Sequence, residues 1–174
     1  RSLARNVAAV TEIEIITWDG RCEVHEQFTA DDIHALRDAH PGVLILAHPE
    51  CPPDVLEASD FAGSTSALSN YVSERSPNKV VLLTECSMSD NVASANPDVE
   101  FVKPCNLCPH MKRITLENIF DALTEMKHEV LVNEDVRVQA KKAIDAMLAL
   151  PNPKTARPFE TGLAPKDIET LSPA

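Results

Sequence analysis

Residues Val43 to Thr65 read VLILAHPECPPDVLEASDFAGST. The apolar run Val43 to Ala47 predicts a buried strand. It stops at His48-Pro49-Glu50-Cys51-Pro52-Pro53, because adjacent prolines have no N–H for a strand ladder. A histidine, a carboxylate and a thiol therefore sit where a strand emits its loop. In parallel α/β sheets, ligands bind outside the carboxyl ends of the strands. The same segment closes on Gly63-Ser64-Thr65 before an apolar helical pattern. Glycine permits close approach, and hydroxyls ahead of a helix cap its free N–H groups or hold an anion there.

The flanking sequence sets the rhythm. Upstream, Leu3 to Thr11 predicts the end of a helix, and Glu12 to Trp18, EIEIITW, alternates like a strand. A helix is expected from Thr29, a good N-cap with acids in the following turn, to His40, where Pro41-Gly42 ends it. Downstream, a short helix is expected over 53–58 and an extended piece over 60–63. Then come a helix over 66–76, a strand over Lys79 to Thr84 and a helix over 87–96. A strand is expected over 99–102 and a loop over 103–112. An amphipathic helix over 115–126 follows, with Leu116, Ile119, Phe120 and Leu123 as core positions. A strand over 128–132 and a last helix from Asn133 to about Leu150 complete the pattern. Strands alternating with helices predict βαβ units with right-handed crossovers and a parallel sheet. Residues 151–174 are proline-rich without apolar periodicity and read as a flexible tail.

Composition narrows the function. The 174 residues are 44% hydrophobic, ordinary for a domain or a domain and a half. The apolar stretches are too short for a membrane span, which needs about 18 residues. The N-terminal residues lack the apolar centre of a secretion signal. The net charge of -11 disfavours nucleic acid and anionic membranes as partners. The chain does not open with Met, so a truncation or a fragment of a longer protein is expected.

The five cysteines, Cys22, Cys51, Cys86, Cys105 and Cys108, are an odd count without a secretion signal, which favours metal or redox chemistry over a disulfide framework. Cys105 and Cys108 form a Cys-x-x-Cys. By spacing it is half of a zinc site, a redox pair or chance, and an iron–sulfur site accepts cysteines from distant loops. Cys51 and Cys86 read as buried structural thiols. His48 and Glu50, two apart, share one face of an extended backbone. Their alternatives are an ordinary polar strand end for His48 and a plain helix cap for Ser64 and Thr65. His34, His40 and His128 are given no role.

Together these segments resemble quinolinate synthase, the bacterial and plastid enzyme that makes the pyridine ring of NAD. The resemblance rests on Gly20-Arg21-Cys22-Glu23-Val24-His25, His48-Pro49-Glu50-Cys51-Pro52, Gly63-Ser64-Thr65, and Cys108-Pro109-His110-Met111-Lys112 followed by Thr115-Leu116-Glu117-Asn118. It covers about residues 1 to 150. It implies an α/β fold of three-layer αβα domains with short parallel sheets around a pseudo-threefold axis, of which this chain is the C-terminal part. Residues 1–20 would end a preceding domain. Residues 21–108 would form the αβα domain with the HPE and GST motifs, 109–150 the C-terminal helices and strand, and 151–174 the tail.

The resemblance also implies a 4Fe-4S cluster held by one cysteine from each domain. Cys22 and Cys108 are two of these ligands, and the third lies outside this chain. His48, Pro49, Glu50, Ser64 and Thr65 would bind substrate, with Glu50 and His48 catalytic. The implied reaction condenses iminosuccinate (iminoaspartate) with dihydroxyacetone phosphate to quinolinate. That is cytoplasmic transferase chemistry of NAD biosynthesis, with a functional link to L-aspartate oxidase. Cys105 would be an accessory thiol, and the chain alone would be inactive and hold no stable cluster. The competing expectations are a non-catalytic metal- or anion-binding α/β domain and a thiol redox protein using Cys105 and Cys108.

Overall fold

The computed structural model describes residues 2–104 and 106–150, which fall into two compact units divided between Cys108 and Pro109. The first unit is built on a four-stranded sheet, β1 (Leu44–Ala47), β2 (Phe61–Ala62), β3 (Lys79–Leu83) and β4 (Glu100–Val102). The strand order is β2-β1-β3-β4, and all pairings are parallel, with Leu46 opposite Leu82 and Val80 opposite Phe101. The helices are α1 (Ser2–Ala8), α2 (Ala30–Ala39), α3 (Pro53–Ala58), α4 (Thr65–Arg75) and α5 (Cys86–Ala95).

The period of two along each strand divides the core into two layers. Ile45, Ala47, Val81 and Leu83 face one side, packing with Ile33, Val55 and Leu56 of α2 and α3. Leu46, Val80 and Leu82 face the other, packing with Leu68, Val72 and Val92 of α4 and α5. Strands buried on both faces are continuous apolar runs, as LILA and KVVLL are. Each fully buried Leu, Ile or Val stabilises the unit by about 1.5–3 kcal/mol before chain entropy is counted.

Local signals place the helices. Thr29 and Asp32 form a reciprocal capping box at the start of α2. Pro53 opens α3, where its missing N–H costs nothing. Gly63 is buried between Phe61 and Ala67, and a Cβ there would lie 2.8 Å from each of them. Its smallness serves this helix–strand contact. Asp60 joins β1 to α2: its carboxylate accepts from Ile45 N at 2.8 Å and from Arg37 Nη2 at 3.0 Å.

The second unit contains α6 (Leu116–Glu125) and α7 (Glu134–Leu148), capped by Thr115 and Asn133. No residue of either helix is buried. Leu116, Ile119, Phe120 and Leu123 are exposed, Leu116 by 82%, so the expectation that they are core is corrected. A helical period predicts an apolar stripe, not what covers it.

Two expected strands are absent. Residues 128–132 form none: His128 is left-handed, with φ of 64°. Residues 12–18 also form none, and Ile13, Ile16 and Trp18 are exposed. Alternation marks a surface that could pair, but a strand needs a neighbour to bond, and neither segment has one among the described residues. No helix among the described residues is long and apolar enough to cross a membrane. Cys105 and the tail expected over 151–174 lie outside the described residues.

Candidate functional site

Three strand ends deliver polar groups to one edge of the sheet. The chain leaves β1 at Ala47 and turns at once, with Cys51 N–H donating to His48 O at 2.9 Å. The turn is anchored twice. His48 N–H donates to Leu83 O on β3, and the buried Asn6 of α1 donates from Nδ2 to Pro49 O at 2.8 Å and Cys51 O at 3.0 Å. β2 ends at Gly63-Ser64-Thr65, where Gly63 N–H donates to Ala47 O. β3 ends at Thr84 and Glu85, both buried.

The segment before α2 lies over this edge, and its single helical turn, His25–Gln27, buries His25. His25 Nδ1 is 3.0 Å from Glu50 Oε2, and Nε2 is 3.1 Å from Thr84 Oγ1. The rings of His25 and His48 stack with centroids 4.4 Å apart and planes 11° off parallel. Glu50 N–H donates to His48 Nδ1 at 3.3 Å, so the proton of neutral His48 sits on Nε2. Burial lowers the pKa of both rings. His25 falls to about 4, with burial first, the neighbouring His48 next, and Glu50 opposing. His48 falls by burial, again against Glu50. Two stacked imidazoles cannot both charge cheaply in a half-dry site.

Cys22, His25 and Glu50 each bring one potential metal-ligand atom to within 4.8 Å of the others. A cavity of about 550 Å³ opens here, lined by Leu3, Ile16, Trp18, Arg21, Cys22 and Glu50. Cys22 and Cys108 are free, partly exposed thiols, as donors to a metal centre must be. Cys108 lies beside the end of β3, its N–H directed at Glu85 Oε1 at 3.5 Å. Cys51 is a core thiol: fully buried, Sγ 3.6 Å from Leu83 O, and pushed by burial to about 12. Cys86 is disulfide-bonded, which corrects its reading as a free structural thiol. Sequence distance hides the cause, since the loop at Asn106 returns beside it and accepts from Cys86 N–H at 3.3 Å.

Of the residues singled out from the sequence, Cys22, His48 and Glu50 come together. Ser64 and Thr65 are exposed at the start of α4, where Ser64 Oγ accepts from Ala67 N–H at 3.2 Å. Sequence reading missed Asn6, the role of His25, and Thr84. Only His25 carried a signal, three residues after Cys22 in the motif that held it.

The model of the family described as Quinolinate synthetase A protein matches residues 1–149. The chain is 63% identical over 148 residues to a quinolinate synthase of Xylella fastidiosa, covering 85% of this chain and 44% of that protein. It is 62% identical over 148 residues to one of Agrobacterium fabrum, covering 85% and 43%, and 55% identical over 151 residues to one of Caulobacter vibrioides, covering 87% and 41%. The chain thus spans less than half the length of these relatives. With the motif residues gathered at the carboxyl edge of a parallel sheet and a match over most of its length, the chain belongs to the quinolinate synthetase A family.

Proposed function

We propose that this chain forms part of a quinolinate synthase, acting on iminosuccinate and dihydroxyacetone phosphate, with loss of phosphate and two waters as the pyridine ring closes. The observation that carries the reading is the cluster of Cys22, His25 and Glu50 at the sheet edge, with His48 stacked on His25 and a cavity lined by Cys22 and Glu50. Cys22 and Cys108 would hold a 4Fe-4S cluster with a third cysteine outside this chain, and their free thiols suit that role. When bound, the cluster supplies an iron without a protein ligand that acts as a Lewis acid on a substrate oxygen.

The chain's own groups would do the rest. Glu50 moves protons as general acid and base. His48, with its proton on Nε2, donates a hydrogen bond to substrate. Pro49, between them, would also contact substrate. Ser64 Oγ accepts from the helix and keeps its own hydrogen to donate, so Ser64 and Thr65 can bind a substrate carboxylate at the start of α4. The whole protein would work in the cytoplasm, in NAD biosynthesis, alongside an L-aspartate oxidase as the source of the imine. The domain limits would be 1–20, 21–108 and 109–150, followed by the 151–174 tail. The chain alone would be inactive.

A chimera tests this reading. Residues 1–149 replace the matching segment of the Xylella fastidiosa relative, and quinolinate formation is assayed without air. Turnover is expected, and Glu50→Gln should lower kcat by about 100-fold or more, in the range of one lost acid/base group. Full turnover in the Gln variant would remove Glu50 from the chemistry. A second reading, metal binding without turnover, is favoured by the placing of Cys22, His25 and Glu50 within 4.8 Å. A colourless chimera with stoichiometric zinc would support it, whereas a brown, oxygen-sensitive one supports the enzyme.

A further inference from the structure

We infer that His25 is a positioning residue of this site, its imidazole protonated on Nδ1 so as to hold the Glu50 carboxylate while Thr84 fixes the ring from the opposite nitrogen. Three contacts meet on one ring: Glu50 Oε2 at 3.0 Å, Thr84 Oγ1 at 3.1 Å, and the stacked face of His48 at 4.4 Å. A carboxylate only accepts, so the bond to Glu50 requires the hydrogen on Nδ1. Nε2 is then an acceptor, and the Thr84 hydroxyl is the donor that satisfies it. The reverse tautomer would set a lone pair against the carboxylate.

Burial supports the neutral ring, since desolvation keeps His25 from charging at neutral pH. The arrangement resembles a metal-bound histidine's outer partner in logic, with the order inverted: here the histidine orients the carboxylate. Glu50 is half-exposed at the cavity, while His25 and Thr84 behind it are buried, so the ring is a fixed backstop and Glu50 the working end. The neighbouring His48 takes the opposite tautomer, with Nδ1 occupied by Glu50 N–H. Glu50 is thus held by His25 through its side chain and tied to His48 through its backbone.

The structural part stands without any assumption about activity. Its consequence for turnover rests on the reading of Glu50 as acid/base. The first measurement is therefore made on the 174-residue chain. Long-range proton–nitrogen NMR at pH 7 should give His25 a protonated Nδ1 and an unprotonated Nε2, and His48 the reverse. An Nε2-protonated or charged His25 overturns the proposal.

The second measurement uses the chimera. His25→Ala should lower kcat about 10- to 100-fold with KM within about twofold and iron content retained, and His25→Asn, which keeps a donor near the Nδ1 position, should recover most of the loss. Unchanged kcat in His25→Ala overturns the positioning role. So does an Asn variant no better than Ala, because that marks a packing role only. If the unsubstituted chimera makes no quinolinate, the functional reading fails while the NMR result still decides how His25 is held.

Discussion

His25 and Asn6 do for the loop after β1 what ladder bonds do for the strands. Each is buried, each bonds two partners, and each reaches across a long stretch of sequence. The low pKa of His25 gives stability a pH dependence of definite sign. Between about pH 4 and 6.5 the unfolded chain takes up a proton that folded His25 refuses. Stability is therefore complete above that window and falls as pH drops through it, by an amount on the order of 3 kcal/mol for this group. His48 pulls in the same direction. Urea unfolding at pH 7 and pH 4.5 should show the loss, and His25→Gln should flatten it. An equal pH slope in wild type and variant would show that other groups carry the dependence.

Asp60 shows how one short element depends on a side chain. β2 has two residues, Phe61 and Ala62, and among the described residues pairs only with β1. Just before it, Asp60 N–H donates to Ile45 O and the Asp60 carboxylate accepts from Ile45 N, so side chain and backbone together extend the pairing. Asp60→Ala leaves Ile45 N and Arg37 without this acceptor and should destabilise the first unit by about 1–3 kcal/mol in urea unfolding. A change below about 0.5 kcal/mol would mean that water replaces the carboxylate without loss.

This detail also marks where sequence reading succeeds and stops. β1, β3, α2 and α4 were legible because their signals are local: apolar runs between prolines, a threonine cap, a glycine crowded by its own helix. The parallel sheet followed from strands alternating with helices, while the αβα layers were implied by the family resemblance. The segments 12–18 and 128–132 misled because alternation is also local, while pairing is not. In the site, Cys22, His48 and Glu50 were legible through their motifs. Asn6 and Thr84 were not, since an asparagine in a helix and a threonine after a strand are common, and only the folded chain brings them 43 and 59 residues across to their partners.

Taken whole, the chain pairs a strongly acidic composition with much uncovered apolar surface. Its charge of -11 keeps copies apart, while Ile16, Trp18, Leu116, Phe120 and Leu123 are each more than 60% exposed. Apolar patches of this kind drive association once repulsion is screened. Sedimentation velocity should show self-association that grows from low salt to about 0.5 M salt, where the screening length is only a few ångströms. Phe120→Glu should reduce it, and a monomer at every salt concentration would contradict the account.

The Asn6 amide has a mechanical consequence. It is one rigid fork joining a seven-residue helix to both flanks of Glu50, at Pro49 O and Cys51 O. A fork with two tines transmits rotation as well as displacement. A displacement of α1 is therefore passed through this one amide to the residues before and after Glu50, at Pro49 O and Cys51 O. The loop that carries the proposed acid/base group is thus moored to α1 by a single side chain.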